Sequence, residues 1–106
     1  IKCEYFALEG LSVLMYTLKL VKKNLNPEID VEGVVLTMKD GRSNLGTNVA
    51  EDVAKYFKEK VYKTIIPRNI RLAEAPSYGE PINYYDPKST GGLAYKELTK
   101  EFLKHQ

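Results

Sequence analysis

Among 106 residues there is one cysteine, one histidine and no tryptophan. A lone Cys3 excludes an internal disulfide and a multi-cysteine zinc site, so a reducing, cytosolic setting is expected. No apolar run approaches the roughly 20 residues that a membrane-spanning helix needs, and no charged and apolar leader opens the chain. Sixteen Lys plus Arg stand against fourteen Asp plus Glu, a formal charge of only +2. Nucleic-acid binding would therefore require local placement of cations, not a polycationic chain. The phosphate-cradling signatures are missing too. There is no G-x-x-x-x-G-K-[ST], and Gly91-Gly92 belongs to no G-x-G-x-x-G, so these residues alone are expected not to hydrolyse a nucleotide. The chain opens on Ile1 and reads as a single partial domain, a piece of something longer.

What is present is ordinary globular composition, 43% hydrophobic and 28% charged. From Glu9 to Leu25, Leu11, Leu14, Met15, Leu18, Val21 and Leu25 recur at helical spacing, and Asn26-Pro27 stops the helix. Val31 to Met38 is a nearly continuous apolar run, predicting a strand buried on both faces. Asn48 and Glu51 have the spacing of a capping box, which predicts a second helix with Val49, Val53, Tyr56 and Phe57 inward. Val61 to Ile66 reads as another strand, cut off by Pro67, and Asn69 to Ala75 as one or two helical turns. Pro76 to Gly92 reads mostly as loop, and Leu93, Leu98, Phe102 and Leu103 mark a last helix packed on the sheet. With a strand stub at Ile1 to Cys3, the order predicts an α/β fold with a small parallel sheet, each crossover long enough for a helix. Its open edges are expected to find neighbours from chain preceding Ile1.

Ligands of open parallel sheets bind beyond the carboxyl ends of the strands. Two such ends carry Met38-Lys39-Asp40-Gly41-Arg42 and Pro67-Arg68-Asn69-Ile70-Arg71, a basic rim suited to an anion. The competing reading is that loops are polar and surface arginines common. His105, penultimate in the chain, reads as a frayed terminus without a partner, and Cys3 as a buried structural thiol. Glu4 and Glu9 either face a ligand or favour the start of the first helix. The eight tyrosines fit structural roles better than base stacking, with Tyr84 and Tyr85 expected to cover the core.

The segments Cys3 to Leu11, Gly33 to Met38, Val61 to Asn69 and Arg71-Leu72-Ala73-Glu74-Ala75-Pro76-Ser77-Tyr78-Gly79 resemble the C-terminal part of the ParA/Soj chromosome- and plasmid-partitioning ATPases. The resemblance implies the C-terminal portion of a P-loop NTPase-like three-layer fold, with the phosphate-binding N-terminal part absent. It also implies ATP with Mg in the full-length parent, a homodimer, non-specific double-stranded DNA, and a ParB/Spo0J-type partner. A cytoplasmic, nucleoid-associated location follows from the same resemblance. By position it assigns DNA contacts to Arg42 and Arg71, joined by Lys39 of the same rim, and places Met38, Pro67, Arg68 and Asn69 around the nucleotide base. Gly41, Glu80 and Thr90 depart from residues common in that family, and the last two remove positive charge. A MinD-like relative that cycles on a membrane is the alternative, the last helix then lying on lipid. A ligand-free interaction module is the third reading.

Overall fold

The computed structural model describes residues 1–4, 7–40 and 44–106, with side chains for all of these except 44–46. Helix α1 (Ala7–Asn24) leads to strand β1 (Val34–Lys39), helix α2 (Asn44–Phe57) and, after a single 3₁₀ turn, strand β2 (Val61–Pro67). Short helices α3 (Ile70–Glu74) and α4 (Ile82–Tyr85) flank a second 3₁₀ turn, Ala75–Tyr78, before α5 (Thr90–Lys104).

β1 and β2 pair in parallel, Val34 opposite Val61 and Lys39 opposite Pro67. The stub adds a third parallel line on the other side of β1. Lys2 bridges Thr37, the Cys3 N–H donates to Thr37 O at 2.9 Å, and the Thr37 N–H donates to Ile1 O at 2.8 Å. The expected α/β class and parallel crossover through a helix are therefore present.

The core forms where β1 meets α2. Val34 and Leu36 alternate on one strand face, and Val49, Val53 and Phe57 recur at helical spacing against them, with Cys3 alongside. Several expectations need correction. β1 begins at Val34, not Val31, because Asp30 Oδ1 already takes the Val31 N–H at 2.8 Å. Only one face of β1 is fully buried, since Val35 and Thr37 remain half-exposed. The capping box is also wrong: α2 starts at Asn44, leaving Asn48 and Glu51 on its wet face. Tyr56 points away from the core at 65% exposure and meets Phe57 only edge-on, with ring centroids 4.9 Å apart.

The stretch read as loop is largely helical. Ser89 caps α5 by accepting the Gly92 N–H at 3.0 Å. Gly91 and Gly92 lie buried in its first turn because backbone approaches there. A Cβ on Gly92 would stand 2.7 Å from the Asp86 carbonyl oxygen, and one on Gly91 would run into Leu72. α5 then packs along β2. Glu101 accepts the Lys63 N–H at 2.7 Å, the Thr64 N–H at 2.9 Å and the Thr64 hydroxyl at 2.7 Å, which occupies the outer edge of β2 with a carboxylate. His105 is not without a partner, since its ring meets Tyr62 edge-on at 5.3 Å. Tyr84 is 77% exposed and does not cover the core.

Candidate functional site

The ends of β1 and β2 fall on one rim because the strands run parallel. The Arg68 N–H ties them by donating to Lys39 O at 3.0 Å. Between Leu36 and Lys39 the register slips, and Met38 there takes a left-handed φ of 54°. A side chain other than glycine in that conformation stores strain, a condition found often where a strand end is re-aimed at a ligand.

Beside this bulge lies a cavity of about 500 Å³, whose lining includes Met38, Pro67, Arg68 and Asn69 together. Thr37, Ile66, Ile70, Leu72, Ala73 and Tyr95 of α5 complete its lining. Tyr95 is not among the residues expected at this site from sequence. Its arrival opposite Pro67 depends on how α5 docks, which no local pattern encodes. Asn69 has a structural duty as well. Its side-chain oxygen accepts the N–H groups of Arg71 at 3.0 Å and Leu72 at 3.3 Å, capping α3. That use leaves the side-chain NH₂ as the group Asn69 can offer a ligand.

The basic residues are not all brought together. Lys39 lines a second cavity of about 640 Å³ along β2 and α5, together with Lys63, Thr64 and Thr90. Burial pushes the Cys3 thiol up, against the opposing pull of Lys39. Arg42 lies outside the described residues. Arg71 sits between two residues that line the first cavity but is itself turned to the surface in an ionic network. Its Nη1 is 3.2 Å from Glu74 Oε2 and its Nε is 3.3 Å from Asp86 Oδ2. Tyr85 donates to the same Glu74 oxygen at 2.8 Å and stacks on Tyr78. The Tyr85 oxygen, Glu74 and Asp86 all hold the Arg71 guanidinium in its charged form, in that order of effect. Glu74 is legible in sequence as a partner at i+3, whereas Asp86 is brought in only by the turn through α4. Glu4 and Glu9 are both exposed.

A concave, mainly apolar slot with a few polar groups, at the carboxyl ends of parallel strands, stands where ligands of open α/β sheets bind. Compared with known families, residues 4–82 match the CobQ/CobB/MinD/ParA nucleotide binding domain. The chain belongs to that family. Its relatives include the sporulation initiation inhibitor protein Soj of Bacillus subtilis (strain 168), 59% identical over 101 residues, covering 95% of this chain and 40% of that protein. The chromosome partitioning protein ParA of Myxococcus xanthus (strain DK1622) is 51% identical over 104 residues, covering 98% of this chain and 37% of that protein. The chromosome-partitioning ATPase Soj of Treponema pallidum (strain Nichols) is 46% identical over 103 residues, 97% of this chain and 41% of that protein. The chain thus spans about 40% of the length of the first of these relatives. Within the CobQ/CobB/MinD/ParA family, the parallel sheet with its helices is part of a P-loop NTPase-type fold. Among the described residues no helix is long and apolar enough to cross a membrane.

Proposed function

We propose that this chain is a partial domain of a ParA/Soj-type partitioning ATPase, supplying one wall of the nucleotide-base pocket and part of a duplex-DNA surface. The observation that carries the reading is the convergence of Met38, Pro67, Arg68 and Asn69 on one cavity beside a strained strand end. Pro67 and Met38 offer flat and polarisable apolar surface to a purine, and the Asn69 NH₂ offers a donor to one of its ring acceptors. ATP with Mg²⁺ fits this donor set only at the base; the phosphates and metal are assigned to residues outside this sequence. Bound there, ATP supplies the hydrolysable phosphoanhydride that times the cycle.

Arg42, Arg71 and Lys39 are proposed to meet DNA phosphates. Contacts of that kind are salt-dependent and indifferent to sequence. A few cations per subunit bind weakly, and a nucleotide-held homodimer doubles them on one surface, so ATP controls DNA affinity through effective concentration. A ParB-type partner that stimulates hydrolysis, and a cytoplasmic location on the nucleoid, complete the proposal. Two of the relatives are named for chromosome partitioning, which supports it. The expected outcome in the full-length protein is that Arg42→Glu with Arg71→Glu abolishes duplex binding and leaves ATP binding intact. Unchanged DNA affinity in that variant contradicts the DNA assignment.

A further inference from the structure

Arg71 is surrounded by more negative charge than it carries. Two carboxylates, Glu74 and Asp86, hold its Nη1 and Nε edges at 3.2 and 3.3 Å, so the local sum of formal charges is −1. The arrangement is built from three separate elements. Asn69 fixes the Arg71 backbone at the start of α3. Tyr85 of α4 holds the Glu74 carboxylate at 2.8 Å and is itself stacked on Tyr78, with ring centroids 5.1 Å apart. Asp86 is set by the end of α4, where its N–H donates to Ile82 O at 3.0 Å.

A guanidinium has five N–H donors in a fixed fork, and two of its edges here are already occupied. The Arg71 side chain is 53% exposed, so an anion can reach it. An approaching phosphate must displace a carboxylate or bind beside one, and either way it meets like charge within a few ångströms. Exposed ion pairs are individually weak, so they do not block the contact. They reduce what it is worth.

We infer that Glu74 and Asp86 are negative tuning residues that hold down the affinity of Arg71 for duplex phosphate, with Tyr85 positioning Glu74 for that role. The inference rests on the reading of Arg71 as a DNA contact. A partner that must let go of DNA in each cycle benefits from a cation whose charge is partly cancelled, because bound DNA then leaves faster at a given salt concentration.

The test compares Glu74→Gln, Asp86→Asn and Arg71→Ala in the full-length protein with ATP and Mg²⁺, measuring binding to a 30-base-pair duplex of arbitrary sequence at two salt concentrations. Both neutralising changes preserve side-chain shape, and thermal melting with ATP binding checks that each variant is folded. Glu28→Gln is the control for loss of a remote charge, since Glu28 precedes β1 and lies toward the opposite rim of the sheet. Neutralising either carboxylate is expected to tighten binding about 2–5-fold and to steepen its salt dependence, while Glu28→Gln changes little. Combined with Arg71→Ala, the gain falls to the level of the control. If Arg71→Ala weakens binding while Glu74→Gln and Asp86→Asn leave it unchanged or weaken it, the tuning role is refuted and the DNA contact stands. If Arg71→Ala has no effect, the DNA contact itself is refuted, and the tuning role with it.

Discussion

Replacing Glu101 by alanine should loosen the seat of α5 on β2, and the structure sets the size of the effect. The side chain accepts three hydrogen bonds between 2.7 and 2.9 Å, two from backbone N–H groups on the outer edge of β2 and one from the Thr64 hydroxyl. Bonds to a charged acceptor contribute about 1.5–3 kcal/mol each in protected sites. Lys63 is exposed and Thr64 only partly buried, so water takes over much of the lost bonding, and a net cost of about 2 kcal/mol is expected. In the full-length protein, taken at the roughly 250 residues of a relative of which 101 aligned residues are 40%, that corresponds to a Tm lower by about 4–8 °C. Glu101→Gln keeps an acceptor and should fall between the two. The effect carries a pH signature. Burial raises the Glu101 carboxyl, but the Thr64 hydroxyl, the two backbone N–H groups and the His105 charge outweigh it and hold the carboxyl below its ordinary value. A depressed folded-state value means stability that is fully present above the unfolded value of about 4.3 and lost as pH falls through the folded one. Thermal melts of wild type and Glu101→Ala at pH 7 and at successively lower pH test this. Equal Tm at pH 7, or a gap that stays constant through the acid range, refutes the reasoning.

Gly92→Ala should destabilise by about 1–3 kcal/mol, because its methyl group would press on the Asp86 and Pro87 carbonyl oxygens, at 2.7 and 3.0 Å, and backbone cannot yield as a flexible side chain can; a denaturant titration measures it. Asn69→Ala should cost about 1 kcal/mol through loss of the α3 cap and should also weaken ATP binding, whereas Asn69→Asp restores the cap oxygen and the stability without the NH₂ donor. Cys3, 8% exposed with its thiol pushed up by burial, should resist alkylation at neutral pH until the protein is unfolded, which mass spectrometry with and without denaturant reads directly. Rapid labelling of the folded protein contradicts that placement.

The parallel frame was legible because its signals are local. Val34 and Leu36 against Val49, Val53 and Phe57 are two hydrophobic periods that need only each other. Pro67 marks the end of β2 through its own chemistry. The four residues around the first cavity were grouped in advance by the family resemblance, and parallel pairing accounts for it by bringing the two strand ends to one rim. What escaped was set by distance along the chain. Glu101 meets Thr64 across 37 residues, and Asp86 reaches Arg71 only after two short helices turn the chain back. Gly91-Gly92 misled for another reason. Glycine usually marks loops, but here it permits a helix to start against the Asp86 and Pro87 carbonyls and Leu72, a requirement visible only in three dimensions. Tyr56 fits the helical stripe by spacing, yet the stripe is narrow and Val53 and Phe57 already fill it.

Duplex-DNA binding by the full-length protein, with and without ATP and at two salt concentrations, tests the central proposal most directly. Binding that needs ATP, ignores sequence and weakens steeply as salt rises is the predicted result. Duplex binding that is indifferent to ATP, or none under any condition while ATP itself binds, would contradict the assignment of this rim to DNA.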